Sequence, residues 1–475
     1  MPSRQDQVLS YQFFMQRVIS AFVSRDPDPT MTPFRRLGGA SFGSIMIAII
    51  CLGAVGVYGI LRPGGATSWK DGASIIQEKE TGTRYIYRDD MLRPVLNYAS
   101  ALLAMGANAP TTQVSRNSLV AVPRGPMIGI PYAPDSVPEA KRLLGGAWAL
   151  CTKPTKTESG QQVATTVLTV GEPPSGGQAL DEQGLLVRDP SNDRLYLIWH
   201  DRRYEIADET IVLEALALGT TPQAAAGGAW LNALPAGEPI GTIRLPGLGK
   251  TSTAVSDAVV GQVYVVANEA GDKQYYLVNT ASLVPISQLQ ADVLLADPVI
   301  INKAYNGRSA PQALPLSAAA ATSARKATVV YENTQPPATT PTIATLAGED
   351  PALCASYASG RAEPKVLLDA DVRAVTNAAR TTGQTAAGTP LADRVVVRGG
   401  HGALVAAMPS PDAPGGALHL VTDLGMRYPL ASNEVPSIFG YSTKNIVKLP
   451  ASLIARIPSG PSLDPAAATR SIAYP

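Results

Sequence analysis

The chain has 475 residues, room for two to four domains at about 100–200 residues each. Charged residues are only 16%, and 39 Lys+Arg against 38 Asp+Glu leave a net charge of +1; that balance excludes a general nucleic-acid binder, which needs a basic surplus to track phosphates. The three cysteines and three histidines are scattered, with no CxxC pair and no HExxH, which excludes a structural zinc site or a zincin.

The first element is a cytoplasmic arm, residues 1–36. Val8, Tyr11, Met15, Val18, Ile19, Phe22 and Val23 recur at three- and four-residue steps from Gln5 to Ser24, which predicts an amphipathic helix. Asp26-Pro27 and Asp28-Pro29 end it, because the residue before Pro disfavours helix. Phe13 and Phe14 widen the apolar face. Such a face suits either a membrane surface or the groove of a partner.

From Leu37 to Leu61 there is no charged residue. A hydrocarbon core of about 30 Å needs about 20 helical residues, so residues 37–61 are expected to form one uncleaved transmembrane helix. Arg4, Arg17, Arg25, Arg35 and Arg36 precede it, whereas only Arg62 and Lys70 follow closely. The positive-inside rule then puts the N-terminus in the cytoplasm and residues 62–475 outside the membrane. In that compartment disulfides persist. Cys51 lies in the span, so Cys151 and Cys354 are expected to be bonded.

The exported part is expected to be built from repeats. Residues 84–95, 195–206, 274–286 and 418–430 each begin with alternating aliphatic and aromatic residues and pass through Asp, Asn or Gly. This is a strand–turn–strand signal. Helix-like stretches follow three of them, at Tyr98–Met105, Ile211–Leu218 and Ile286–Leu295. A second signature follows three of the four, and is Leu119-Val-Ala-Val122-Pro123-Arg-Gly125 in the first copy. Leu231-Asn-Ala-Leu234-Pro235-Ala-Gly237 and Ile454-Ala-Arg-Ile457-Pro458-Ser-Gly460 are the others. Each reads as an element end closed by a Pro-x-Gly turn.

Between the repeats a separate β layer is expected from residues 146–151, 165–170, 327–331, 365–368 and 394–397. The segments 309–323 and 334–347, rich in Pro, Ala, Ser and Thr, read as loops. The resulting division is repeats at 62–135, 176–246, 247–325 and 399–458. The core comes in two parts, 136–175 and 326–398, and an extended Pro/Ala-rich tail runs over 459–475. The fold class is α+β, an elongated exported domain behind one anchor.

Catalytic chemistry is thin. Gly249-Lys250-Thr251 ends like a P-loop, but the first Gly of GxxxxGK[ST] is replaced by Arg244. Lys250 and Thr251 are weak nucleotide candidates, and the bland reading is an exposed loop. Gly39-Ala-Ser41-Phe-Gly43 matches GxSxG only at the entry to the span, away from any strand–turn–helix elbow. His200, His401 and His419 lie in or near expected strands, and Asp201 and Asp423 nearby allow a His/Asp pair, but no activated Ser or Cys can be named. Trp69, Trp148, Trp199 and Trp230 are dispersed like core anchors rather than a sugar-stacking stripe.

The combination resembles the EccB family, the single-span component of the type VII (ESX) secretion system. The resemblance runs through Gln7-Val8, Tyr11-Gln-Phe13, Met15-Gln-Arg17 and Arg25-Asp26, then Arg62-Pro63-Gly64 and Arg93-Pro94-Val95-Leu-Asn97. It continues through Leu150-Cys151, Asn232-Ala-Leu234-Pro235 and Asp350-Pro351-Ala-Leu353-Cys354. It implies a structural subunit shaping the periplasmic side of an export machine, with EccC-, EccD- and EccE-like subunits, a mycosin protease and further copies of itself as partners. The family fold it implies is a β-rich core with four flanking repeats and a core disulfide, carried here by Cys151 and Cys354. Tyr11, Phe13, Phe14, Arg17 and Arg25 are the expected partner contacts. Relatives are sometimes labelled ATPases, which would bring ATP as cofactor; the incomplete P-loop favours no cofactor. A cell-wall-binding module is the remaining alternative.

Overall fold

The computed structural model describes residues 3–25, 33–61, 67–157, 159–329, 333–348, 351–361, 363–371 and 378–472. Helix α1 runs over Arg4–Ser24. It starts at Ser3, whose hydroxyl accepts the Asp6 N–H while Asp6 reaches back to the Ser3 N–H, so two orphan donors are satisfied at once. Helix α2 spans Pro33–Leu61. Its stretch Gly38–Gly59, 22 residues, is long and apolar enough to cross a membrane.

Beyond the anchor, one topology appears four times. The first copy is β1 (Ile75–Glu78), β2 (Arg84–Arg88), β3 (Met91–Pro94), α3 (Tyr98–Met105), β4 (Thr111–Val114) and α4 (Arg116–Leu119). Its sheet order is β3-β2-β1-β4, with β4 parallel to β1. Here α3 is the crossover that a parallel return needs. Asp89 and Asp90 make the β2–β3 turn at φ 56° and 58°, the left-handed pair that a two-residue hairpin requires and that Asp tolerates. Asn97 caps α3 on the Ser100 N–H at 3.0 Å, and Gly106 closes it at φ 70°.

The core sheet opens with β5 (Trp148–Lys156), β6 (Gln162–Thr169) and β7 (Ser175–Ala179). The second copy follows: β8 (Leu185–Arg188), β9 (Leu195–Trp199), β10 (Arg202–Glu205), α5 (Glu209–Ala215), β11 (Ala224–Ala225) and α6 (Gly228–Ala233). The third is β12 (Val263–Ala267), β13 (Lys273–Val278), β14 (Leu283–Ile286), α7 (Gln288–Ala296), α8 (Pro298–Ala304), β15 (Leu314–Pro315) and α9 (Ala318–Ser323). The core resumes with β16 (Leu353–Tyr357), β17 (Lys365–Asp371) and β18 (Arg394–Val396). The fourth copy is β19 (Gly402–Met408), β20 (Ala417–Thr422), β21 (Arg427–Pro429), α10 (Val435–Ile438), β22 (Ile446–Pro450) and α11 (Ala451–Ile454), and α12 (Pro465–Ala468) ends the elements.

Core strands stand in the order β18-β6-β5-β16-β17-β7. Their two faces alternate with period two. Trp148, Leu150, Leu353, Ala355 and Tyr357 bury on one side. Ala149, Cys151 and Cys354 bury on the other, where Cys151 and Cys354 are direct cross-strand partners joined by a disulfide.

The first face of the core sheet shares one hydrophobic cluster with repeats 2 and 4. It includes Val187, Ile198 and Trp230 from one, and Val405, Val421 and Ile457 from the other. The outer repeats attach to these. Repeat 1 buries Ala99, Leu102 and Leu103 of α3 against Tyr428, Val435 and Ile438 of repeat 4. Repeat 3 buries Leu289 and Val293 of α7 with Val212 and Leu216 of repeat 2. Repeats 2 and 4 therefore sit together on one face of the core sheet, with repeat 1 attached to repeat 4 and repeat 3 to repeat 2.

The Pro-x-Gly signature has a packing reason. In each copy its middle residue makes a parallel bridge to the third strand: Leu92 with Arg124, Arg203 with Ala236, Arg427 with Ser459. The glycine comes next, facing the next residue of that strand. A Cβ on Gly237 or Gly460 would overlap the ring of Tyr204 or Tyr428, and one on Gly125 would lie 3.1 Å from Arg93 Cγ. Repeat 3 makes the same bridge, Leu283 with Lys326. There the facing residue is Val284 and the glycine has become Ala327. A smaller neighbour leaves room for a methyl, so the third copy escaped the sequence signature.

Four sequence expectations change. The segment 309–323 is not a plain loop: it holds β15 and α9, the latter capped by Ser317 on the Ala320 N–H at 3.1 Å. Residues 176–179 belong to core edge strand β7 rather than to repeat 2. Residues 327–329 form no strand, and 330 and 331 lie outside the described residues. The tail is not merely extended. Leu463 and Ala468 are fully buried, α12 packs on α3, and the Ile472 N–H donates to Met127 O at 2.9 Å.

Candidate functional site

On α1 the apolar side chains are exposed: Tyr11 by 66%, Phe13 by 60% and Phe14 by 64%. Arg17 stands one turn on from Phe13, with its guanidinium 5.1 Å from the ring centroid, a cation–π spacing. Arg25 follows the helix in a left-handed conformation, φ 53°. Exposed aromatics in a contiguous stretch mark a contact surface for lipid or protein.

The GKT segment forms a turn whose backbone donors are engaged within the fold. A P-loop offers free backbone N–H groups ahead of a helix. Here the Gly249 N–H donates to Val260 O at 3.0 Å, the Lys250 N–H to Gly247 O at 3.0 Å and the Ser252 N–H to Ala258 O at 2.8 Å. Thr251 bridges Val259, and the next helix, α7, comes only after three strands. Lys250 and Thr251 are exposed.

The histidines and aspartates do not form dyads. His200 is hydrogen-bonded to Glu182 at 2.7 Å and stacks on Trp199, centroids 3.8 Å apart. Asp201 instead accepts the Val366 N–H at 2.8 Å, fastening repeat 2 to the core, and burial raises its pKa. Asp423 accepts the Gly400 N–H at 2.8 Å. His419 is buried, 6% exposed, with no partner for Nδ1. Burial, and secondarily the Arg427 charge, push its pKa down to about 4, so it sits neutral. Trp69, Trp148 and Trp230 are fully buried. No cluster of three or more metal-ligating side chains occurs among the described residues.

A cleft of about 370 Å³ opens where the core meets repeats 2 and 4. Its wall includes Arg202, Arg361, Glu363 and Lys448, drawn from segments far apart in sequence. No sequence motif links these positions, so sequence reasoning missed them.

Residues 1–473 match the family described as type VII secretion system ESX-1, transport TM domain B. The chain belongs to the EccB family. It is 30% identical over 299 residues to the ESX-2 secretion system ATPase EccB2 of Mycobacterium tuberculosis, covering 62% of this chain and 59% of that relative. It is 26% identical over 480 residues to the ESX-3 secretion system ATPase EccB3 of Mycolicibacterium smegmatis, covering 96% of this chain and 88% of the relative. Among solved structures it resembles a chain of an intact ESX-5 inner membrane complex, with TM-score 0.58, 23% identity and coverage of 100% and 96%. It also resembles the EccB3 dimer of an ESX-3 core complex, with TM-score 0.56, 23% identity and coverage of 84% and 100%. These likenesses establish the EccB fold for the chain.

Proposed function

We propose that this chain is a structural subunit of a type VII secretion machine in the inner membrane. The match over residues 1–473, which takes in arm, anchor and all four repeats, is the observation that carries this reading. Helix α2 holds the subunit in the bilayer. The basic residues before it favour a cytoplasmic N-terminus and a periplasmic repeat domain. The exposed aromatics of α1 would dock on EccC-, EccD- or EccE-like subunits. The exported part would associate with a second copy and lie near a mycosin protease, shaping the periplasmic side of the conduit.

We assign nucleotide hydrolysis elsewhere, although relatives carry the word ATPase in their names. The GKT backbone donors are already engaged within the fold, so the segment has little to offer a phosphate. Deletion of the gene should abolish export of type VII substrates and break up the membrane complex, and native purification should recover the three partner subunits. Normal export without the chain would remove the proposal. Lys250→Ala should leave export and complex assembly unchanged; loss of export with an intact fold would restore the enzymatic reading.

A further inference from the structure

We propose that the cleft between the core sheet and repeats 2 and 4 is a docking site for an extended peptide segment carrying carboxylates. Five stretches of chain build it: Arg202 of β10, Pro235 after α6, residues after β16, the end of β19 with its following loop, and the end of β22 with the start of α11. Pockets at domain junctions with a few convergent polar groups are the usual places for ligands, and about 370 Å³ lies in their size range.

Part of the lining is apolar and rich in proline. Pro235, Pro409, Pro411 and Pro450 line it, and Met408 and Leu449 lie between them. Fixed proline rings need little ordering when a ligand arrives, which lowers the cost of binding.

Charge selects the ligand. Arg202 is ion-paired with Glu363. Arg361 and Lys448 have no carboxylate partner among the described residues. Backbone bonding holds these two cations together: the Gly360 N–H donates to Lys448 O at 3.1 Å, and the Lys448 N–H donates to Ser359 Oγ at 3.2 Å. The cleft wall therefore carries three cations and one anion. Asp412, on the rim loop, does not line the wall. Two cations on hydrogen-bonded neighbouring segments at the edge of a concave surface raise the local positive potential. A carboxylate placed there gains charge-assisted hydrogen bonds, while the apolar residues beside it fill the floor. An occupant would touch core, repeat 2 and repeat 4 together.

The test uses the full chain in detergent and fluorescence anisotropy. The probes are a labelled, C-terminally amidated peptide Ala-Pro-Glu-Leu-Glu-Pro-Ala, the same peptide with a free C-terminus, and an amidated version with both Glu replaced by Gln. The Glu peptides should bind at least tenfold more tightly than the Gln peptide, with affinity falling as salt rises. Equal binding of the two Glu forms assigns recognition to side-chain carboxylates and supports the proposal; binding confined to the free C-terminus would show that the Glu side chains are not read and would overturn it. Arg361→Glu with Lys448→Glu should weaken binding tenfold or more at an unchanged melting temperature, and Arg361→Lys should retain it. Failure of all peptides to bind, equal binding of the Gln peptide, or unchanged binding by the charge-reversed variant would overturn the proposal. So would capture of soluble glycan fragments in place of peptide.

Discussion

Cys151 stands directly opposite Cys354 on neighbouring antiparallel strands, Cα atoms 4.0 Å apart, and the bond between them joins positions 203 residues apart. Everything from β6 to the end of repeat 3 lies inside that loop. In the chain-entropy view, a cross-link over so long a loop restricts the unfolded state strongly.

The double variant Cys151→Ala/Cys354→Ala should therefore lose about 2–5 kcal/mol of unfolding free energy. Denaturant midpoints of residues 62–475, oxidised against reduced and against the variant, measure this. Equal midpoints in all three would show that packing alone fixes β5 on β16.

The glycine after each Pro-x turn should be replaceable only together with its neighbour. Gly237→Ala would drive a methyl into the Tyr204 ring, an overpacking cost of about 1–3 kcal/mol. Adding Tyr204→Val recreates the Val284 and Ala327 arrangement of repeat 3 and should recover part of the loss. A double-mutant cycle with no coupling energy would contradict the packing account.

His419 should make the protein acid-sensitive. Its folded pKa is pushed down to about 4 from an ordinary 6.5, so below pH 6.5 the unfolded state binds a proton that the folded state refuses. Its contribution is fully present above pH 6.5 and is lost as pH falls from there towards about 4. The melting temperature of His419→Leu should consequently fall less steeply over that window than that of the parent. Parallel slopes would mean that His419 protonates freely in the fold.

Leu463 should hold repeats 1 and 4 together from the segment expected to be an extended tail. It is fully buried and bridges Leu430, in the cluster that joins the two repeats. Leu463→Ala should cost about 2–5 kcal/mol, and hydrogen exchange in α3 should accelerate. Unaltered protection of Leu102 and Leu103 would show that the tail is not part of that core.

Much of this was legible locally because the signals are local. Asn97 and Gly106 bracket α3, Asp89-Asp90 specify a two-residue hairpin, and the uncharged run to Leu61 can only be satisfied by one long helix or its equivalent in apolar surroundings. The first strand of each repeat was less visible. In β8 Leu185, Leu186 and Val187 are all buried, so the alternation that marks a half-exposed strand is missing. Helix α9 hid in an Ala-rich stretch because its cap, Ser317, is an ordinary residue in such company.

The sequence by itself determined the anchor, the basic arm, the fourfold hairpin pattern and the two cysteines available to be bonded outside the span. Each depends on residues within one element, or on whether a residue falls inside the uncharged run. Only the tertiary structure decided that repeat 1 joins repeat 4 and repeat 2 joins repeat 3, and that Arg361 and Lys448 share one cleft. The sequence shows that α3 and α5 each have apolar side chains to bury. It does not show against what, because burial is non-directional and any complementary face would satisfy it. The choice is made by shape and by the chain's return through the core, where β5 meets β16.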